Sequence, residues 1–398
     1  MMKSNNKSSG PVLLRSLPFL LTLVLFLSLM LTMVGPEAQA EAGQAETEEE
    51  NLPEYSITLS DAQSSSSCSS VVFSGSTVTI TQAGSYTLTG SLSDGQILVD
   101  AGNESKVRLI LDGVSVTSSA SAAIYVRSAD KVVISLMDGT SSTLSNGGSF
   151  VQTDENNVDA VIFSKDDLTI KGSGSLTVNS PAGHGIVGKD DLKIKSGTIS
   201  VNAARKALSA NDTLTVENGV LTLNAGTEGM EASNVIVTGG SISLQAGDDG
   251  INATWLSDTT RPAIEISGGS LSIVMGAGDT DGIDSNGDLV ITGGTIDISG
   301  SSSFDIDGSV TFTGGTVIVN GQQIDTIPNQ MMGMGGFGSM GGMGRGVRQN
   351  MDGFQSGVSG VGNGFPQGQD GGSAYAGQQP GGFGGRQGMG GFGAPNIS

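Results

Sequence analysis

From about Ile57 to Ile324, apolar and polar residues alternate with a period of two, in short runs of Val, Ile, Leu, Thr and Ser punctuated by glycine. Such alternation puts successive side chains on opposite faces of a strand, and predicts β-structure throughout. No apolar stripe of helical spacing interrupts it. From residue 159 onward the pattern repeats, with Ile162, Ile186, Leu208, Met230, Ile251, Ile283 and Ile306 in equivalent places. Each opens a unit that continues with a second strand, such as Leu168-Thr-Ile, Leu192-Lys-Ile or Leu214-Thr-Val. A glycine turn follows, at Ser196-Gly197, Asn218-Gly219, Gly239-Gly240, Gly268-Gly269, Gly293-Gly294 and Gly314-Gly315. A third strand closes the unit, as in Thr198-Ile-Ser-Val or Ser241-Ile-Ser-Leu. Three short strands in about 22 residues, without helical segments, is the signature of a β-helix rather than of a propeller blade or a leucine-rich repeat. The expected fold is all-β, a right-handed parallel β-helix of about ten coils at the usual strand spacing. Residues 71–158 read as degenerate coils of the same kind, for example Val107-Arg-Leu-Ile-Leu and Lys131-Val-Val-Ile-Ser-Leu.

The segments on either side of the strands differ in kind. Lys3, Lys7 and Arg15 precede an apolar run from Leu17 to Val34, and Ala38-Gln39-Ala40 follows. A basic head, an apolar middle and small residues before a cut site form a secretory signal over residues 1–40. The alternative is an uncleaved anchor, since the run is close to the shortest apolar stretch that spans a bilayer. Residues 41–56 hold six glutamates and no base, and read as an acidic linker. The solenoid domain is assigned to 57–328. Residues 329–398 contain 25 glycines, seven methionines and five phenylalanines, a composition that builds no packed core and predicts a disordered tail.

Charge removes one class of partner. The chain has 18 Lys and Arg against 39 Asp and Glu, a net charge of −21, and loss of residues 1–40 would make it more acidic still. That excludes nucleic acid, whose affinity rests on phosphate neutralisation. Cys68 is the single cysteine, so no internal disulfide supports an exported fold, and a core shared between stacked units must do so instead. Once the signal is removed no membrane association is expected, and the mature protein is placed outside the cell, secreted or at the cell surface.

A solenoid converts repeats into columns. Counting four from the repeated apolar residue stacks Asp166, Asp190, Asp212 and, with a one-residue deletion, Asn234; Asp167 and Asp191 begin the next column. Two carboxylates about 5 Å apart repel by about 3 kcal/mol at an effective dielectric of 20. A hard cation with oxygen ligands, calcium, would offset that repulsion. Lys165 and Lys189 directly precede these pairs, so a ladder of Lys–Asp salt bridges, or simple turn preference, accounts for the same residues. A second acidic group, Asp248, Asp249, Asp279, Asp281, Asp284, Asp305 and Asp307, lies farther along and stays open between a second ion and turn decoration. Lys165, Lys171, Lys189, Lys193, Lys195, Arg205 and Lys206 make residues 165–206 locally basic, which suits an anionic ligand, although lysines also blunt sheet surfaces against aggregation. His184, the one histidine, shares a column with Lys206 and Glu228. Trp255 sits in an insertion, Asn252 to Ala263, of about ten residues, and such insertions often map to the binding face. It either stacks on a sugar ring or folds over an apolar gap. Neither a Ser/His/Asp set nor a zinc-spaced His/Cys cluster is present.

Several stretches then carry a family resemblance: Gly84-Ser-Tyr-Thr-Leu-Thr-Gly, Leu109-Ile-Leu-Asp-Gly, Phe163-Ser-Lys-Asp-Asp-Leu and His184-Gly-Ile-Val-Gly-Lys-Asp-Asp-Leu. Over roughly residues 55–325 the chain resembles the clostridial carbohydrate-binding β-helix family, whose members resemble family 9 polysaccharide lyases in fold. The resemblance implies binding of cellulose or pectic polysaccharide. It also implies that Asp166, Asp167, Asp190 and Asp191 correspond to calcium ligands, with Lys206, or next Lys189, as the base that removes a proton. The expected function is thus an exported module that binds acidic, polygalacturonate-like or cellulosic polysaccharide with calcium. Lys165, Lys189, Lys193, Arg205, Lys206 and Trp255 would contact the glycan, and Asp166, Asp167, Asp190, Asp191 and Asp212 the metal. The alternatives are a calcium-dependent pectate lyase acting by β-elimination and a cell-surface adhesive or structural rod.

Overall fold

The computed structural model describes residues 51–276 and 280–328. The expected signal segment 1–40, most of the acidic linker, Asp279 and the expected tail 329–398 lie outside the described residues. Strand Glu54–Leu59 draws the end of the expected linker into the fold.

Among the described residues there is no helix, and the strands join mainly in parallel. Three ladders organise them. Ladder I is an 11-stranded sheet that includes Ile124–Ser128, Ala160–Ser164, His184–Gly188, Leu208–Ala210, Met230–Ala232, Ile251–Ala253, Ile283–Ser285 and Phe304–Ile306. Ladder II runs through Lys106–Leu111, Lys131–Leu136, Asp167–Gly172, Leu192–Ile194, Thr213–Val216 and Asn234–Val237. Ladder III runs through Ser115–Ser118, Ser141–Asn146, Ser175–Ser180, Thr198–Ala203, Val220–Ala225, Ser241–Ala246 and Ser270–Met275. From residue 160 to 266 each strand pairs in parallel with the third strand on, as His184–Gly188 does with Leu208–Ala210. That is the pairing of a chain wound through three faces in turn, and it is compatible with a β-helix or solenoid. The degenerate stretch obeys it as well, since Leu109 lies beside Ile134 and Ile134 beside Ile170.

Alternation sets what the winding encloses. Ile162, Ile186, Leu208, Met230, Ile251 and Ile283 stack in register along ladder I, and all are inaccessible to solvent. Ile170, Ile194, Val216 and Val237 do the same in ladder II, and Val178, Val201, Leu223 and Leu244 in ladder III. Each such side chain contributes about 1.5–3 kcal/mol on burial. Because successive units share one core, small strands of three residues suffice where an isolated unit would not fold.

Two positions depart from the sequence reading. Ile283 pairs with Phe304, and Ile306 pairs with Ser285, so the last member of the apolar column is Phe304 rather than Ile306. Both residues face inward, being two apart, and hydrophobicity alone does not distinguish them; backbone pairing of Gly308 with Gly287 (2.8 Å) sets the register. Asn234 pairs with Thr213, so it lies beside the next column and not in that of Asp212.

The corner between ladders II and III requires glycine. Gly197, Gly219, Gly240, Gly269, Gly294 and Gly315 all have positive φ, from +81° to +120°. At Gly240 a Cβ would also lie 3.0 Å from the carbonyl oxygen of Gly219 in the preceding corner. Left-handed backbone and close stacking therefore both disfavour a side chain there. At the ends, antiparallel partners cover strands that parallel stacking would leave open: Val71–Ser74 with Thr77–Ile80, and Val310–Val319 with Gln322–Ile324.

Candidate functional site

In ladder I the residue after each buried apolar position faces outward. Register links them into one column: Tyr125, Phe163, Val187, Ser209, Glu231, Asn252, Asp284 and Asp305. The column grades from aromatic through neutral to acidic.

The aromatic end is covered. Tyr125, Val158, Phe163 and Val187 form a hydrophobic cluster separate from the main core, with Phe150 packed against it. The Tyr125 and Phe163 rings meet edge to face at 5.7 Å. The Tyr125 hydroxyl donates to Asp154 Oδ2 and accepts from Asn156 Nδ2, both at 2.6 Å, which ties down the loop carrying Phe150. Lys189 Nζ stands 5.6 Å from the centre of the Phe163 ring, within cation–π range.

At the centre, charged groups converge on a recess of about 100 Å³ bordered by Asp159, His184, Lys189, Lys206, Glu231 and Leu256. Strand His184–Gly188 holds His184 with its side chain largely buried, and its Nδ1 accepts the backbone N–H of Lys206 at 3.2 Å. That leaves Nε2, 3.5 Å from Asp159 Oδ2, to carry the proton. Burial pushes the Asp159 carboxyl up, but the hydrogen bond from His184 and then the charges of Lys189 and Arg205 outweigh it and hold the group below the usual carboxylate range. Lys206 Nζ forms a close ion pair with Glu231 and lies 3.9 Å from Glu228. Burial drives the Glu231 carboxyl above its ordinary value, and Lys206 pulls against that rise. Asp159 Oδ1 and Glu228 Oε2 are buried with no hydrogen-bond partner. The insertion after Asn252 reaches this recess: Ser233 Oγ accepts the backbone N–H groups of Leu256 (3.1 Å) and Ser257 (2.9 Å), and Leu256 lines the recess while Trp255 stays 62% exposed.

The acidic end is poor in cations. Burial, then Asp249, Asp305, Asp281 and Asp307, push Asp284 up to about 7. Burial, then the charges of Asp248, Asp281 and Glu228, push Asp249 up to about 6, against a backbone hydrogen bond from Asp281 (3.1 Å).

The expected metal residues gather at the turn from ladder I to ladder II. Leu168 pairs with Leu192 and Leu192 with Leu214, which stacks Asp167 with Asp191 and Asp190 with Asp212. Three of the carboxylates accept backbone N–H groups: Asp166 from Ala129 (2.8 Å), Asp167 from Asp191 (3.4 Å) and Asp191 from Thr213 (3.0 Å). Asp190 is pushed up by loss of hydration and then by Asp167, Asp166, Asp212 and Asp191. Among the described residues no three acidic, cysteine or histidine side chains converge as ligands to one ion. The donor chemistry suits a hard cation, but this arrangement of side chains is not a preformed cage.

The basic strip divides. Lys189, Arg205 and Lys206 lie with the ladder I recess, and Lys165 is exposed at the nearby turn. Lys193 belongs to ladder II, where it faces outward and pairs with Glu217 at 3.6 Å. Asp159, Glu231 and the Tyr125–Asp154 pair were not singled out from the sequence. A count of one residue, rather than four, from Ile162 and its equivalents leads directly to Glu231, Asn252 and Asp284.

The sequence model of a family described as "carbohydrate-binding domain-containing protein" matches residues 74–326, nearly the whole of the strand region. The chain belongs to that family. Within it, a carbohydrate-binding domain-containing protein of Acetivibrio thermocellus is 48% identical over 128 residues, 32% of this chain and 45% of that protein. The chain therefore matches less than half the length of this relative. A solved structure, described as the polysaccharide lyase-like protein from C. thermocellum in a gadolinium derivative, is similar with a TM-score of 0.53 and 30% identity. The similarity covers 65% of this chain and 99% of that one. The family resemblance read from the sequence thus holds, and so does the likeness of fold to a polysaccharide lyase-like protein.

Proposed function

We propose that this carbohydrate-binding domain protein is exported and binds an acidic, polygalacturonate-like polysaccharide along the outer face of ladder I. The proposed fold in full is a right-handed parallel β-helix of about ten coils at the normal strand spacing. The observation that carries the reading is the recess where Lys189 and Lys206 meet His184, lined also by Leu256, which follows the exposed Trp255 on a loop fastened to Ser233. Sugar carboxylates would exchange with Glu231 and Glu228 at Lys206, and the exposed indole would pack on a ring face. The family description and the lyase-like neighbour support a polysaccharide ligand.

Calcium enters the proposal as a bridge between protein and polymer carboxylates. Asp190 is the favoured contact, because burial and then four neighbouring carboxylates already disfavour its charge. The Asp284 and Asp249 row has the same property. Binding without lysis is favoured over β-elimination by the engagement of Lys206, which is held between two carboxylates as a charge partner.

Affinity for polygalacturonate should be measured for the wild type, Lys189→Ala/Lys206→Ala and Asp190→Ala/Asp191→Ala, each with calcium or chelator. Loss of binding in the lysine variant supports the recess, and loss in the aspartate variant or with chelator supports the bridge. If none of these changes affinity, the ladder I face is not the binding site. Release of unsaturated product from pectate, abolished by Lys206→Ala, would establish a lyase instead.

A further inference from the structure

We propose that a second glycan track, selective for a neutral extended polysaccharide, runs along ladder III. It lies on a different ladder from the charged recess and goes beyond the function proposed above.

In four successive ladder III strands, Ser175–Ser180 to Ser241–Ala246, the outward position near the end carries an amide, and a serine, Ser145, precedes them in the row. Ser145, Asn179, Asn202, Asn224 and Gln245 lie side by side in register. Asn202 Nδ2 donates to Asn179 Oδ1 at 3.2 Å, and Asn224 Nδ2 donates to Asn202 Oδ1 at 2.8 Å. Each amide has two N–H groups and two acceptor positions. Passing one hydrogen bond along the row leaves Asn202 a donor and an acceptor for a ligand. The row also fixes the amide planes, so little side-chain freedom is lost on binding.

These amides border a cleft of about 940 Å³ whose other wall is formed by the small residues Ala203, Ala204, Ala225, Gly226 and Gly247. Every residue lining it is uncharged. In a chain with 39 acidic residues, that neutrality is local and specific. A polyanion finds no cation here, and a peptide finds no open sheet edge, because the ladder III strands are paired on both sides. A neutral glycan satisfies the site: each hydroxyl both donates and accepts, and the small residues leave room for ring faces. The amides recur about every 4.8 Å, the strand spacing, which is close to the advance of one sugar in an extended β-linked chain.

The test is affinity electrophoresis of the full chain in gels containing hydroxyethylcellulose or mixed-linkage β-glucan, with polygalacturonate gels run in parallel. Wild type should be retarded by the neutral polymers, with or without chelator and at low or high salt. Asn202→Leu/Asn224→Leu should weaken that retardation by at least about ten-fold. Lys206→Ala should leave it unchanged, which separates this track from the ladder I site. Thermal melting reports whether the double variant folds. Gln245→Leu changes an exposed amide outside the Asn–Asn hydrogen bonds and should weaken retardation about three-fold while melting like wild type. Absence of retardation in the wild type overturns the proposal. So does unchanged retardation in a folded double variant, or in Gln245→Leu if the double variant does not fold.

Discussion

His184 accepts, through Nδ1, the backbone N–H of Lys206, in the turn that leads into the next strand of ladder I, at 3.2 Å. The histidine thus fixes the backbone that carries the recess lysine, while its other nitrogen faces Asp159. His184→Ala would leave that N–H and the half-buried Asp159 without this partner, a loss of about 1–3 kcal/mol. The expected outcome is a melting temperature lower by several degrees, with weaker polygalacturonate binding in the fraction that remains folded. Calorimetry and a binding titration read the two effects separately. Unchanged melting would show that the bond contributes nothing.

Asp284 and Asp249, pushed up to about 7 and about 6, give stability a defined pH dependence. Their carboxyls bind protons more tightly in the folded than in the unfolded chain, where ordinary values near 4 apply. The folded state therefore holds more protons between about pH 4 and pH 7, and stability falls as pH rises through that window. Asp284→Asn should flatten the fall and raise the melting temperature at pH 8. Melting curves from pH 5 to 8, without added divalent cation, decide it. A profile identical to wild type would mean that the acidic row is not strained by its own charge.

At the corner between ladders II and III, Gly240 has φ +89° and stands against the Gly219 carbonyl. Gly240→Ala is expected to cost about 1–3 kcal/mol through left-handed strain. Denaturant unfolding measures it. Gly102→Ala, at φ +91° but with open space around the added carbon, should cost less and isolates the stacking contribution.

Trp255 is 62% exposed, so little of its surface leaves water on folding. Trp255→Ala should leave the melting temperature within the scatter of surface substitutions, about 0.5 kcal/mol, and should weaken glycan binding. Indole fluorescence from this sole tryptophan gives a direct titration signal in the wild type. No fluorescence change on saturation with polygalacturonate would remove the loop from the binding face.

Alternation of apolar and polar residues, with glycine every unit, already determined an all-β chain of repeated three-strand units, because a two-residue period admits only strands and left-handed corners admit little but glycine. It also determined which side chains stack inside: Ile162, Ile186, Leu208, Met230, Ile251 and Ile283 are all buried in register. What it left open was register, since Ile306 and Phe304 are both apolar and face the same way, and only the backbone pairing selects Phe304. Outward positions were harder still. Hydrophobic pattern constrains only the face that leaves water, so it did not mark Glu231, Asp284 or the asparagine row, although each directly follows a buried apolar residue of the repeat. The grouping of Lys206 with Asp159 and His184, and its separation from Lys193, depended on which ladder each strand joined. Proximity across strands about 22 residues apart is a property of the winding, set by hydrogen bonds between units rather than by neighbours in the chain.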